Sequence, residues 1–401
     1  MDLQLNQDQQ ILQNSVRRFI GDACGFEQRR QFQTEAEDFS RANWAQFAEL
    51  GLLAIPFAEA DGGLGGSAID VAVVMAEIGR GLALEPFFAA VVLAGGILRH
   101  GASEAQKAAL VPDLLSGQTI GCFAYAEAGS RYNLADVCSQ ARKREGGYLL
   151  NGTKLGVYAA PVADWVIVTA RTAGERRDVN GITLLRVPST APGISRRDYI
   201  AIDGARVSDI TFENVLVTEE DVIGPVDGGL DIVRCVVDEA IAALCAEALG
   251  AMNALSDATI EYAKQRRAFG QTIGKFQVIQ HRLVDMKIAT EQATALVLDA
   301  TRALGARNAE TSRLIAAAKA KIGKESKRVA QAAVQLHGGI GITDELNVGH
   351  YMKRLLAIDV AFGDATHHLR RLIAANDSPQ RRPAEHSLRF PDQVRNLGLS
   401  S

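Results

Sequence analysis

Arg266-Arg267-Ala268-Phe269-Gly270-Gln271-Thr272-Ile273-Gly274-Lys275-Phe276-Gln277 is the stretch on which the fold turns. Taken alone, Arg266 reads as a helix cap or as the partner of a carboxylate, and neither accounts for the spaced Phe, Gly, Ile, Phe and Gln that follow. Around this string the apolar period is helical, from Gly228-Gly229 to about residue 376. Leu283, Met286, Thr290, Ala293, Val297, Ala300 and Leu304 recur in alternating threes and fours, the seam one helix presents to a neighbour in a bundle. A second seam runs through Ile315, Ala318, Ile322, Val329, Ala332 and Leu336. Its opposite face carries Lys319, Lys321, Lys324, Lys327 and Arg328 and reads as solvated.

Upstream the texture changes. Between about 118 and 226 come short β-branched runs at 165–169, 182–185 and 207–212, separated by turn signals such as Asn151-Gly152 and Asn180-Gly181. That pattern is a compact β-barrel or sandwich. Before residue 117 the period is helical again, opened by Asn6 as N-cap with Gln9 three residues on. Pro56 and the glycines at 62, 63, 65 and 66 read as a turn rather than a phosphate loop, since no strand clearly precedes them and no Lys-Ser/Thr follows. The expectation is an α+β protein divided into a helical domain (1–117), a middle β domain (118–226), a C-terminal four-helix bundle (227–378) and a tail (379–401). No internal repeat is visible.

With 401 residues and a net charge of -4 from 43 basic and 47 acidic side chains, the chain is large enough for two or three cores and lacks the basic excess of a nucleic-acid binder. Five scattered cysteines, an odd count without ligand spacing, argue against a disulfide framework or a zinc site, and read as reduced and buried. The start, MDLQLNQDQQ, has no secretory pattern, and the apolar run 87–98 is too short to cross a bilayer. A cytoplasmic location without membrane contact is expected.

Three segments resemble the acyl-CoA dehydrogenase superfamily, in that family's order. The opening string is similar to its R-x-x-F-G-x-x-I-x-x-F-Q motif. Gln335-Leu336-His337-Gly338-Gly339-Ile340-Gly341-Ile342-Thr343 is similar to Q-x-h-G-G-x-G-x-T. The entry Glu127-Ala128-Gly129-Ser130, with Gly147-Tyr148-Leu149-Leu150-Asn151-Gly152-Thr153-Lys154 and Ala163-Asp164-Trp165, resembles the family's β-domain signatures. The similarity spans about the first 375 residues. It implies FAD as cofactor, with Ser130, Arg266, Phe269, Gln277, Gln335, Gly338, Gly339 and Thr366 at FAD-contacting positions. A guanidinium can hold a diphosphate in a bidentate grip, and glycines let backbone come close.

The family's chemistry removes the α-proton of an acyl-CoA thioester with a carboxylate in a dry pocket while the β-hydrogen leaves as hydride. Asp364 falls where the family's glutamate stands, one methylene shorter. His367 and His368 are a second possibility, read as rim residues. Glu239 lies one helical step, about 100°, from the alternative base position at Ala240. Ala124, Gly156 and Tyr158 replace ring-contacting Thr, Trp and Thr, whereas the residues reaching toward a neighbour's FAD are intact. This resembles the second subunits of heteromeric enzymes acting on pimeloyl-CoA or steroid side-chain thioesters.

The implied partners are acyl-CoA, an electron-transfer flavoprotein and a homologous subunit in a heterotetramer, or identical copies in a homotetramer. Alternatives are a non-catalytic partner completing another chain's FAD site, and an acyl-CoA oxidase or nitroalkane oxidase. Small residues at 89, 90, 95, 96, 243 and 246 read either as room for a bulky acyl group or as close packing.

Overall fold

The computed structural model describes residues 5–33 and 39–377. Helix α1 (Gln7–Ala23) opens on the expected capping box: the Gln9 N–H donates to the Asn6 side chain at 2.8 Å, and the Asn6 N–H donates back to the Gln9 amide oxygen at 3.2 Å. Then come α2 (Phe26–Phe32), α3 (Arg41–Glu49) and α4 (Ala68–Gly81). A π-helical turn (Phe88–Ala94) leads into α5 (Gly95–Gly101), and α6 (Glu104–Leu115) closes the region. The glycine-rich loop before α4 is a turn, as expected. A Cβ at Gly63 would stand 2.2 Å from the Phe57 carbonyl oxygen, so only glycine fits there. Trp44, Phe47, Phe57 and Phe87 fill the core beneath.

The middle region is one mixed sheet. Its strands are β1 (Gly121–Ala124), β2 (Gln140–Arg144), β3 (Gly147–Tyr158), β4 (Trp165–Arg171), β5 (Ile182–Pro188), β6 (Ile194–Ile200), β7 (Arg206–Thr218) and β8 (Val222–Ile223). They run in the order β6-β7-β3-β2-β4-β5-β8, with β1 added parallel to β4. Every residue of β4 is buried, which accounts for its run Trp165–Val168, and the buried Thr169 and Arg171 are hydrogen-bonded. Asn180-Gly181 lies in the β4–β5 connection, but Asn151-Gly152 does not make a turn. It sits inside β3, where the register against β7 slips between Leu150 and Gly152. The extra residue makes a bulge, locked by an N–H···O bond from Asn214 to the Asn151 side chain at 2.9 Å.

The C-terminal region is a bundle. Helix α7 (Gly229–Gln265) runs into a two-strand hairpin, β9 (Arg267–Ala268) and β10 (Gln271–Thr272), followed by α8 (Gln277–Ala303) and α9 (Ala309–His337). A 3-10 turn (Gly338–Ile342), α10 (Asn347–Val360) and α11 (Ala365–Asp377) complete it. The first seam holds, with Met286 through Ala300 buried along α8. Helices α4 and α7 pack backbone to backbone: a Cβ at Gly79 would meet the Glu247 carbonyl oxygen at 2.0 Å, and one at Gly250 the Ala76 oxygen at 1.7 Å. Gly95 and Gly96 serve the same end against Phe57 and Val236, so close packing, not pocket room, explains those two glycines.

Three expectations need correction or placing. Cys138 is exposed and Cys235 half-buried, because both lie where the chain faces outward; only Cys24, Cys122 and Cys245 are buried. Lys319 is not on a solvated face: its side chain is 0 % exposed, since α10 and α11 pack across that side of α9. The tail, 379–401, lies outside the described residues. No described helix is long and apolar enough to cross a membrane.

Candidate functional site

A cleft of about 910 Å³ opens between the β domain and the bundle and brings together Ser130, Asp364 and Thr366. Its inner end is aromatic. Tyr125 and Phe362 both line it and stack with ring centroids 5.2 Å apart and planes 15° from parallel. Behind them Phe88 stands edge-on to Phe362 and to Tyr158. Its outer walls are cationic, with Arg131, Arg177, Arg234, Arg370 and Arg371. Asp136 and Asp238 share the lining, and burial raises the Asp238 carboxyl although Ser312 donates to it at 2.9 Å. The sequence reading did not single out Tyr125, Phe362, Asp238 or the arginines, because they gather from four separate segments and share no motif.

Asp364 is the N-cap of α11. One carboxylate oxygen accepts the His367 N–H at 2.7 Å, which fixes the side chain at the mouth of the helix. The corner before it is unusual, with Phe362 at φ 55° and Gly363 at φ 114°. His367 leans on the Tyr132 ring at 5.0 Å, and burial with Arg371 nearby lowers its pKa. His368 is buried, donates from Nε2 to the Phe362 carbonyl at 3.1 Å, and is pushed down to about 3 by burial and Arg371. A histidine so reluctant to take a proton is a poor base.

Ser130 serves the turn it closes: its hydroxyl donates to the Glu127 carbonyl at 2.9 Å and accepts the Glu127 N–H at 3.2 Å. The Glu127 carboxylate accepts the N–H groups of Cys138 (2.6 Å) and Ser139 (3.0 Å) and the Lys154 ammonium (2.6 Å). Thus the loop that walls the cleft is pinned from below. Thr366 lies exposed in the first turn of α11.

Glu239 belongs elsewhere. It lines a separate cavity of about 500 Å³, where Arg99 and His100 each reach it at 2.7 Å. Burial works to raise its carboxyl, but the His100 hydrogen bond and the Arg99 charge outweigh this and leave it lowered. Held in that way, it is not available to the Asp364 cleft.

The remaining candidates face outward. Phe269 sits at the hairpin tip with φ 51° and is 94 % exposed. With Phe276, Ile279, Gln335 and Leu336 it lines a groove of about 450 Å³. Arg266, at the end of α7, and Gln277, at the start of α8, are exposed at the roots of this hairpin but do not line the groove. Gly338 and Gly339 follow directly after α9, and no atom lies within 4 Å of where either Cβ would stand. These six residues form an open surface, and Ser130, Asp364 and Thr366 a separate cleft.

Comparison with known proteins covers most of the chain. The acyl-CoA dehydrogenase N-terminal domain model matches residues 6–118, the middle domain model 122–215 and the C-terminal domain model 227–376. Probable acyl-CoA dehydrogenase YngJ of Bacillus subtilis is 30% identical over 380 residues, 94% of this chain and 99% of its own. The human mitochondrial short-chain specific acyl-CoA dehydrogenase is 30% identical over 345 residues, 84% of this chain and 82% of its own. Among solved structures, the ChsE4-ChsE5 complex from Mycobacterium tuberculosis superposes with a TM-score of 0.85 at 26% identity, covering 94% of this chain and 100% of that one. Butyryl-CoA dehydrogenase from Megasphaera elsdenii gives 0.85 at 25% identity, covering 94% and 99%.

Proposed function

The chain belongs to the acyl-CoA dehydrogenase family, an FAD-dependent oxidoreductase of acyl-CoA thioesters, and on that premise we propose that it forms the 2,3-double bond as one subunit of a hetero-oligomer with Asp364 as base. The single observation carrying this reading is that Asp364 lines a cleft with an aromatic inner end and arginine walls. A flavin fits such a place: a planar ring finds Tyr125 and Phe362, and a diphosphate finds Arg131, Arg370 and Arg371. When bound, FAD supplies acceptance of the β-hydride.

The protein's own residues do the rest. The His367 N–H orients the Asp364 carboxylate, leaving its second oxygen for the α-proton. The remaining wall arginines, Arg177 and Arg234, face the anionic end of the thioester, and the aromatic end keeps water from the reacting carbons. The outward set, Arg266, Phe269, Gln277, Gln335, Gly338 and Gly339, grips the FAD of a neighbouring, unlike chain. With FAD bound, an electron-transfer flavoprotein would take up the electrons. A cytoplasmic setting accords with the sequence reading.

One observation favours a second reading, in which this chain only completes its partner's FAD site. Ala124 has no hydroxyl to offer a ring, Gly156 has no side chain, and Tyr158 is packed against Phe88. The chain should be purified alone and with a homologous partner. The first reading expects colourless, inactive protein alone, a yellow and active complex, and a loss of kcat of about 10²–10⁴-fold in the D364N complex. A yellow, active chain on its own sinks the hetero-oligomer. Full activity in the D364N complex moves the base to the partner and supports the second reading.

A further inference from the structure

Lys319 is buried in the bundle, forms no ion pair among the described residues, and donates to three backbone carbonyls: Ile358 at 2.6 Å, Asp359 at 2.8 Å and Gly363 at 3.1 Å. The first two belong to the last turn of α10, whose carbonyls have no partner within the helix. Capping α10 would account for those two alone. The third lies past the helix end, in the residue immediately before Asp364.

The rest of the corner is held by the same helix. Lys319, Gly323 and Lys327 are spaced by four residues, so they form one stripe along α9. At Gly323 a Cβ would stand 2.0 Å from Asp359 Oδ1 and 3.1 Å from the Ala365 Cβ; the missing side chain lets the corner settle on the helix. Lys327 pairs with Asp359 at 2.5 Å, and Asp359 in turn accepts the Ala365 N–H at 3.3 Å. From the far side His368 donates to the Phe362 carbonyl at 3.1 Å. Between these ties lie Phe362 and Gly363, both at positive φ, a conformation that Phe362 keeps only when its surroundings impose it.

We propose that Lys319 is a positioning residue for the reaction: through the Lys319–Gly323–Lys327 stripe it fixes the 358–365 corner and thereby the place of the Asp364 carboxylate. It touches neither substrate nor flavin. This inference rests on Asp364 being the base. Replacement by methionine keeps an unbranched side chain one atom shorter and removes all three donated bonds. Loosening the corner by an ångström is enough for a rate loss on the order of 10²-fold, whereas substrate binding depends on the cleft walls.

The test is a double-mutant cycle on the enzyme purified with its flavin and any partner. K319M should lower kcat about 100-fold with KM within about 3-fold of wild type. Placed on D364N, it should add less than about 2-fold, because a residue acting through Asp364 has nothing left to position. A residue that merely stabilises the fold gives equal losses in both backgrounds, and that result overturns the proposal. So does an unchanged kcat in K319M when D364N is inactive. Full activity in D364N instead removes the assignment of the base, a separate failure. If K319M does not fold, Gly323→Ala provides the same cycle by pushing Asp359 off the stripe, with a smaller loss expected on the wild-type background and less than about 2-fold on D364N.

Discussion

His368 is a residue on which the acid stability of the bundle depends. One ring nitrogen donates to the Phe362 carbonyl, the other is buried without a partner, and the pKa is held at about 3 against an ordinary 6.5. An unfolded chain binds the His368 proton below about pH 6.5, while the folded one refuses it until about pH 3. The unfolded state therefore binds more protons over that window, and stability falls as the pH drops through it, by up to about 1.4 kcal/mol per pH unit from this group. Above pH 6.5 the contribution is complete. His368→Gln, which keeps a donor for Phe362 but does not titrate, should flatten the fall of the thermal midpoint between pH 6.5 and 4. An unchanged acid limb would assign that fall to the other lowered histidines, His350 and His367.

At the scale of elements, the loop from Glu127 to Ser139 is tied to β3 by one buried ion pair. Lys154 and Glu127 are both buried and meet at 2.6 Å, with Thr169 accepting a second bond from the ammonium at 2.8 Å. Burial pushes Lys154 down to about 8, and the pull of Glu127 keeps it from going lower. Removing one member of such a pair leaves a buried charge and costs about 3–5 kcal/mol. Lys154→Met should therefore speed amide exchange in residues 127–139, and adding Glu127→Gln should restore part of the protection. Exchange within about 0.5 kcal/mol of wild type in the single variant would sink the idea that this pair holds the cleft wall.

Elements with a strong period were legible: the α8 seam is buried from Met286 to Ala300, because six apolar positions and Thr290 share one helix face that must go somewhere. Asn151-Gly152 was misread because the same dipeptide suits a turn and a bulge, and only the pairing of β3 with β7 decides between them. Lys319 was misread because periodicity reports the side of a helix, not whether a later helix will cover it. Asp364, singled out by the resemblance of its segment to the family's base segment, lies in the cleft lining. Tyr125 and the arginines were not legible, since they meet only when four segments fold together.

Across the whole molecule, the two sets of candidate residues line different surfaces, as the proposed sharing of a site between chains requires. Ser130, Asp364 and Thr366 share the cleft, while Phe269 projects into solvent beside a groove lined by Gln335 and Leu336. An aromatic side chain 94 % exposed at a hairpin tip, with its backbone at φ 51° and an edge-on contact to Phe276 at 6.2 Å, contributes little to the fold of its own chain. Apolar surface left out in this way marks a contact with something else. Val278, Val284 and Ile288 continue the exposed apolar surface along α8. Phe269→Ala should leave the thermal unfolding of the isolated chain within about 0.5 kcal/mol of wild type, as substitutions of unpacked surface residues do. If Phe269 contacts the neighbour's cofactor as proposed, the same change in the assembled enzyme should lower bound flavin per complex by about 10-fold at sub-saturating FAD. Unaltered flavin content with a destabilised chain would place Phe269 in the fold instead and detach the outward surface from the cofactor.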